Sequence, residues 1–232
     1  MEQTIVWSPF MKTVVLLGLA AACSKAPPPP PVARVWPALG TTMSAAAWGA
    51  DTTRISRALD AARDTADRSR PPAAFDSLRR EIRRQTGIAV AADDLKQGDA
   101  LDRAALVLVG VADSALLDLG GQYLWVGPRG TKRPVGIADP ANSLDALATV
   151  EMRGGSVSTS SHAGGTVSVT VLAPSGVAAD AWSTALLGLG CDSALALAPR
   201  LGAPRVSVVC TDSVRVRWTP DLDGRVLVPH RP

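Results

Sequence analysis

The 232-residue chain is poor in aromatic residues, histidine and cysteine, and these shortages exclude several classes of protein. Aromatic residues make up 4% of the chain, so Ala, Val and Leu must build its core. The three cysteines form no C-x-x-C pair, which argues against a cysteine zinc site. The 24 basic residues are scattered among 21 acidic ones, without the clustered basic surface of a nucleic-acid-binding protein. We therefore expect no nucleic-acid partner.

The two histidines do not indicate a serine hydrolase. His230 lies in the C-terminal tail, and His162 lies in a Gly-rich turn. No nucleophile elbow is found near His162, so a Ser-His-Asp triad is not expected.

The first 22 residues have the pattern of an export signal. Lys12 precedes a short apolar run over 13–22, which is too short to span a bilayer. Small residues before Cys23 resemble a bacterial lipoprotein signal, in which the cysteine is lipidated and becomes the first mature residue. We expect translation to start at Met11, lipidation at Cys23, and attachment to a membrane of the bacterial cell envelope, on its periplasmic or other extracytoplasmic face. The alternative is an ordinary signal peptide with a chance thiol.

The prolines at 27–31 favour extended polyproline II, a semi-rigid spacer. We assign residues 1–22 to the signal, 23–34 to the lipidated linker, 35–226 to one folded domain and 227–232 to a tail. Cys191 and Cys210 would then face an oxidising compartment. A disulfide and two buried thiols both remain open for this pair.

Apolar residues recur at helical spacing in five segments and alternate as in strands elsewhere. Asp51 and Asp99 are suitable N-caps, and Gly87 is a suitable C-terminal stop. Interspersed strands and helices predict an α+β fold, a single domain with mixed, mostly antiparallel sheets packed with helices. The predicted helices are 51–68, 75–85, 99–106, 179 to 188 or 190, and 192–197. The predicted strands are 88–91, 115–119, 123–126, 135–137, 149–152, 157–160, 167–172, 206–210 and 214–218, after an extended segment at 36–48.

Asp180 and Thr184 are four residues apart and share one face of the helix that opens near residue 179. We place Asp180 in the first turn, at the positive end of the helix dipole. A carboxylate and a hydroxyl aimed together form half a site for Mg²⁺, which takes oxygen ligands and usually keeps some coordination positions for phosphate. A helix cap is the alternative role for Asp180.

Six segments, in order, resemble the ApbE family of FAD:protein FMN transferases. Gly40-Thr41-Thr42 looks like the "M-G-T" strand of that family, and 167–174 running into 179–184 is the closest match. The other four segments are 96–104, 117–121, 135–140 and 157–160.

Membership would imply that the protein binds FAD and Mg²⁺ and transfers FMN to a Thr or Ser hydroxyl of a client flavoprotein, releasing AMP. Some members hydrolyse FAD to FMN and AMP instead. On this resemblance Asp180 is the catalytic residue. The implied metal residues are Asp94, Asp180, Ser183 and Thr184. The implied FAD-binding residues are Leu39, Gln97, Gly98, Asp102, Gly120, Gly121 and Thr159, and plain turn chemistry is the alternative for the glycines.

The chain departs from the family pattern mainly on the flavin side. Residues 162–165 stand where the family has "H-x-I-D-P-x-T-G", and Leu39 replaces the Met before "G-T". These losses weaken the FAD site more than the metal site. Two alternatives follow: a non-catalytic lipid-anchored scaffold or interaction protein, and an FAD pyrophosphatase.

Overall fold

Two antiparallel sheets form the framework of the chain. The computed structural model describes residues 30–68, 70–128, 131–141, 145–162, 165–202, 205–212 and 215–229. The export signal, Cys23 and His230 lie outside these residues, so the signal and lipidation stay predictions. The predicted α+β fold with mostly antiparallel sheets is confirmed.

Eleven strands are present among the described residues. Eight of them lie within a few residues of predicted strands, two lie around the predicted extended segment at 36–48, and the last was not predicted. The strands are β1 Val32–Ala38, β2 Thr41–Trp48, β3 Ser114–Leu119, β4 Gln122–Val126, β5 Arg133–Ala138, β6 Ala146–Met152, β7 Gly155–Ser161, β8 Ser168–Ala173, β9 Ser207–Thr211, β10 Val216–Trp218 and β11 Val226–Leu227. The large sheet has the order β1-β2-β3-β4-β7-β8-β9-β10, and the small one has the order β11-β6-β5. β1 begins three residues before the domain start assigned from the sequence.

The helices cover one face of the large sheet, and the small sheet covers the other. The helices are α1 Thr52–Ala66, α2 Asp76–Thr86, α3 Lys96–Leu108, α4 Gly176–Leu189 and α5 Cys191–Leu197. Along β8, Val169 and Val171 pack against helices, whereas Leu172 packs on the small-sheet side, as strand alternation requires. No helix in the described ranges is long and apolar enough to span a bilayer.

Local sequence signals located the start of α1 and the end of α2 correctly. Asp51 caps α1, because its Oδ1 accepts a 2.8 Å hydrogen bond from the Arg54 amide. Gly87 ends α2 in the left-handed region, with φ of 74°.

Two predictions about the following segment were wrong. α3 begins at Lys96 instead of being capped by Asp99. Asp99 is buried in its first turn, where it forms ion pairs with Arg70 and Arg103. Residues 88–91 form no strand. Their polar groups bond to side chains instead, since the Val90 carbonyl accepts from Arg79 and the Ala91 amide donates to Asp94.

A disulfide joins Cys191, at the start of α5, to Cys210 in β9. Their Cα atoms are 5.6 Å apart, within the usual range for a disulfide. The sequence left a disulfide and two buried thiols open, and the structure shows the disulfide. It fastens the junction of α4 and α5 to the large sheet.

Candidate functional site

A cleft of about 870 Å³ lies between the start of α3, the end of β7 and the C-terminal half of α4. Five residues predicted from the sequence come together in its lining, although they come from four separate segments of the chain. They are Leu39, Asp94, Gln97, Thr159 and Thr184. The remaining lining residues are Asp93, Lys96, Ser160, Ser161, His162, Leu187 and Gly188.

Leu39 enters the cleft from a strained turn. Leu39 and Gly40 are the two residues between β1 and β2, with φ of 49° and 76°. Two positive φ values define a type I′ hairpin turn, which favours Asn-Gly. A leucine in this region is unusual and costly. The residue is 37% exposed and lines the cleft, so the turn presents an apolar group there.

Asp180 lies directly behind the cleft wall. Its side chain is buried, with 8% of the residue exposed, and its Oδ2 accepts a 3.0 Å hydrogen bond from the Gly98 amide. The pKa of the Asp180 carboxyl is raised to about 7, first by burial and then by the charges of Asp94 and Asp102, while the hydrogen bond from Gly98 lowers it. Thr184, one turn further along α4, lines the cleft.

The position of Asp180 in its helix differs from the prediction. α4 begins at Gly176 and is capped by Ser175, so Asp180 lies in the second turn. The helix dipole acts mainly within the first turn. A carboxylate stabilised by that dipole would have a lowered pKa, whereas burial raises the pKa of Asp180.

Ser183 lies beneath the cleft instead of in its lining. It is fully buried, and its hydroxyl donates to the Asp180 carbonyl at 3.0 Å. Its Oγ is also 2.9 Å from the Ser160 Oγ and 3.3 Å from the Ser158 Oγ. The Ser160 Oγ in turn lies 3.4 Å from the Thr184 Oγ1. Ser183 therefore ties α4 to β7 and supports the two hydroxyls that reach the cleft.

Gly98 and Asp102 form contacts between α3 and α4 and do not line the cleft. A Cβ atom on Gly98 would overlap the Gly176 carbonyl, so the absence of a side chain serves helix packing. The Asp102 carboxylate accepts from the Gly176 amide at 2.5 Å and from the Val177 amide at 3.0 Å. The structure thus gives both residues a positioning contact where the sequence suggested contact with FAD.

Gly120 and Gly121 form the two-residue turn between β3 and β4, with φ of 60° and 87°. The Gly121 amide donates to Asp118 at 3.0 Å. A Cβ atom on Gly120 would approach the Gln97 side-chain nitrogen to 3.2 Å. Turn chemistry therefore explains both glycines, and Gly120 also leaves room for Gln97 at the cleft.

A sequence model of the ApbE family matches residues 37–164, more than half of the chain. The chain belongs to the ApbE family. This match includes every cleft residue up to His162 and ends before α4. The assignment of Asp180 and Thr184 to the site therefore rests on the structure and on the segment resemblance.

Solved ApbE structures share the fold. The ApbE protein of Thermotoga maritima aligns over 84% of this chain and 99% of its own, with 16% identity and a TM-score of 0.61. Flavin transferase ApbE from Vibrio cholerae covers 84% of this chain and 100% of its own, at 14% identity and a TM-score of 0.60. The Pseudomonas stutzeri flavinyl transferase ApbE, in its apo form, covers 84% and 96%, at 14% identity and 0.60. No curated protein sequence matches the chain.

The donor groups around Asp180 suit a cation shared with a phosphate ligand. In the part of the chain that the structure describes, no group of three or more His, Cys, Asp or Glu side chains could hold a metal. Mg²⁺ commonly takes one or two carboxylates and completes its shell with phosphate oxygens and water. Asp180 supplies a buried carboxylate, Thr184 a hydroxyl and Asp94 a nearby exposed carboxylate. This set fits Mg²⁺ with FAD present more closely than a metal bound by protein alone.

Sequence reasoning missed Ser160 and His162 as site residues of this ApbE protein. The serines at 156, 158 and 160 alternate along β7, which places them on one strand face. That pattern could have identified Ser160 as a partner of the Asp180 helix. His162 follows β7 directly and lines the cleft, a position that depends on tertiary packing.

Proposed function

We propose that this ApbE protein binds FAD together with Mg²⁺ in the cleft and transfers FMN to a Thr or Ser hydroxyl of a client flavoprotein, releasing AMP. The observation that carries the proposal is the buried Asp180 carboxylate, held by the Gly98 amide directly behind the cleft wall. Family membership supports flavin transfer as the general activity, and the matched solved structures from Vibrio cholerae and Pseudomonas stutzeri are named flavin transferases.

Asp180 and Thr184 would hold the cation, with Asp94 close enough to contribute charge. When bound, Mg²⁺ neutralises the negative charge that develops on the pyrophosphate. A cation at Asp180 would also offset the burial and the repulsion by Asp94 and Asp102 that together raise the pKa of this carboxyl. Ser183 supports these residues from below and is not assigned as a ligand.

The other cleft residues would orient the two substrates. Lys96, paired with Asp93 at 3.1 Å, and Gln97 supply N–H donors for phosphate oxygens. The acceptor hydroxyl oxygen forms a bond to the phosphorus of the FMN half, the anhydride bond breaks, and AMP leaves with the bridging oxygen. His162 is an exposed imidazole in the cleft lining, and we assign it as acceptor of the hydroxyl proton.

A lipid anchor at Cys23 would hold this activity on the periplasmic or other extracytoplasmic face of the cell envelope. The Cys191–Cys210 disulfide supports an oxidising compartment, because such bridges persist outside the cytosol. Mass spectrometry of membrane-extracted protein tests the anchor. An N-terminal diacylglyceryl-cysteine at position 23 is the expected result, and a free thiol there would contradict it.

Incubating the purified protein with FAD, Mg²⁺ and a flavoprotein domain that carries an acceptor Thr tests the activity. A fluorescent flavin band on a denaturing gel, together with free AMP, is expected. Asp180→Asn is the matched control and should give no band. Free FMN and AMP without labelling would indicate an FAD pyrophosphatase. Absence of both FAD binding and labelling would favour the non-catalytic scaffold.

A further inference from the structure

The N-terminal halves of α3 and α4 hold each other through the same four-residue spacing. Gly98 and Asp102 are four residues apart on α3, and Gly176 and Asp180 are four apart on α4. The Asp180 carboxylate accepts from the Gly98 amide, and the Asp102 carboxylate accepts from the Gly176 amide. Each helix therefore offers a glycine amide and a carboxylate to the other. We name this arrangement of the four residues the reciprocal clamp.

The reciprocal clamp satisfies amides that a helix start normally leaves without acceptors. On α4, Asp102 accepts from the amides of Gly176 and Val177, and Ser175 accepts from that of Ala178. α3 has no side-chain cap of its own, and Asp180 from α4 accepts from the amide of its third residue, Gly98. Each helix is thus capped in part by the other.

Close backbone packing makes the reciprocal clamp specific for glycine at both positions. A Cβ atom on Gly98 would overlap the Gly176 carbonyl, and one on Gly176 would overlap the Gly98 carbonyl. Gln122 adds a third support, because its Nε2 donates to the Gly176 carbonyl at 2.9 Å. The Gly176 residue is therefore held at both its N–H and its C=O groups.

We propose that Asp102 is a positioning residue that holds the first turn of α4, so that Asp180 meets the Gly98 amide and faces the cation site. Asp102 does not line the cleft, so it acts through α4. Loss of its carboxylate frees two amides at the start of α4 and loosens the four-residue segment that leads to Asp180. The part of this inference that concerns the cation rests on the proposed function, whereas the part that concerns Gly98 does not.

Amide hydrogen exchange tests the inference without relying on activity. In Asp102→Ala we expect exchange of the Gly98 amide to rise at least tenfold relative to the Val171 amide in β8. Asp51→Ala is the matched control, since Asp51 caps α1 through the Arg54 amide and lies in no clamp contact. It should leave the ratio of Gly98 to Val171 exchange unchanged.

A second readout is binding of Mn²⁺, used as a paramagnetic probe and measured in the presence of FAD. We expect Asp102→Ala to weaken Mn²⁺ binding at least tenfold and Asp51→Ala to leave it unchanged. Asp102→Asn, which keeps one acceptor oxygen, should be intermediate in both readouts and replaces the alanine variant if that one does not fold. An unchanged ratio of Gly98 to Val171 exchange in the Asp102 variants would overturn the inference. If the unaltered protein binds no Mn²⁺, the proposed function fails, and the Gly98 exchange still decides the role of Asp102.

Discussion

Oδ2 of Asp180 lies 3.0 Å from the amide nitrogen of Gly98, which is 82 residues away in the sequence. The carboxylate therefore has two tasks to separate: it caps α3, and it lies behind the cleft that we propose binds FAD and a cation. Asparagine keeps an oxygen acceptor for the Gly98 amide and removes the charge, so one substitution separates the two tasks.

Asp180→Asn should fold with at least the stability of the unaltered protein at pH 7.5, because it removes a buried charge and keeps the hydrogen bond. FMN transfer should fall by about 100-fold or more, since a metal ligand supports several kcal/mol of transition-state stabilisation. Asp180→Ala should lose both transfer and stability. Urea denaturation and flavin gel fluorescence measure these effects. Full FMN transfer by the asparagine variant would show that Asp180 caps α3 and does not bind the cation.

The Asp180 carboxyl should make the metal-free protein less stable as pH rises from 4 to 8. The folded-state pKa of Asp180 is about 7, above the ordinary value near 3.9, so its contribution is full below pH 4 and is lost as pH rises through 7. The change amounts to about 4 kcal/mol at most. Asp180→Asn should flatten this part of the pH profile. Denaturation at several pH values with EDTA present tests it, and parallel profiles for the two proteins would contradict it.

Cation binding should have the opposite pH dependence. A proton and a cation compete for the Asp180 carboxylate, whose pKa is raised to about 7 by burial first and by the charges of Asp94 and Asp102 next. Mn²⁺ affinity with FAD present should therefore rise about tenfold from pH 5 to pH 6 and level off above pH 7. Asp94→Asn should lower the pH at which binding levels off. An affinity independent of pH between 5 and 7 would place the cation away from Asp180.

Gly98→Ala should destabilise the protein by about 1–3 kcal/mol, because the added methyl group overlaps the Gly176 carbonyl. Gly188→Ala is the matched control in α4. Its Cβ atom would make an ordinary 3.4 Å contact with Ile88, so helix propensity favours alanine there by up to about 1 kcal/mol. Urea denaturation compares the two. Equal stabilities would show that the α3–α4 contact tolerates a side chain.

Sequence patterns predicted the elements whose causes are local and missed those whose causes are distant. The Asp51 cap and the Gly87 stop follow from a few neighbouring residues. Aspartate is a residue type that favours the N-cap position, but ion pairs with Arg70 and Arg103 hold Asp99 inside α3. The spacing of residues along the chain does not reveal the pairing with Arg70.

The residues of the candidate site also divide into those whose role the sequence predicted and those whose role depends on distant contacts. Family resemblance identified five residues that the fold brings to the cleft, from Leu39 to Thr184. It also suggested nucleotide contact for Gly98 and Asp102, whereas the structure shows that they fasten α3 to α4. A short segment cannot reveal whether a glycine contacts a neighbouring helix or a ligand, because the close approach of either one requires a residue without a side chain.

Removing the Cys191–Cys210 disulfide should lower the free energy of unfolding by about 3 kcal/mol, because the bridge closes a loop between residues 19 apart in the sequence. Thermal unfolding with and without a thiol reductant measures this. The double substitution Cys191→Ala, Cys210→Ala is the control, and reductant should not change its stability. A reductant effect of equal size in the double variant would assign the loss to another cause.

Leu39→Asn should stabilise the protein and weaken its binding of FAD. Leu39 occupies the first position of a type I′ turn with φ of 49°, where asparagine before Gly40 is preferred. Relief of this strain is worth about 1 kcal/mol. The same change removes an apolar side chain from the cleft lining, so FAD affinity should fall about threefold to tenfold.

Leu39→Ala is the control, because it removes the side chain and keeps the strain. Calorimetry should show weaker FAD binding in both variants, and denaturation should show added stability in the asparagine variant alone. Equal stability of the two variants would mean that the turn is not strained by Leu39.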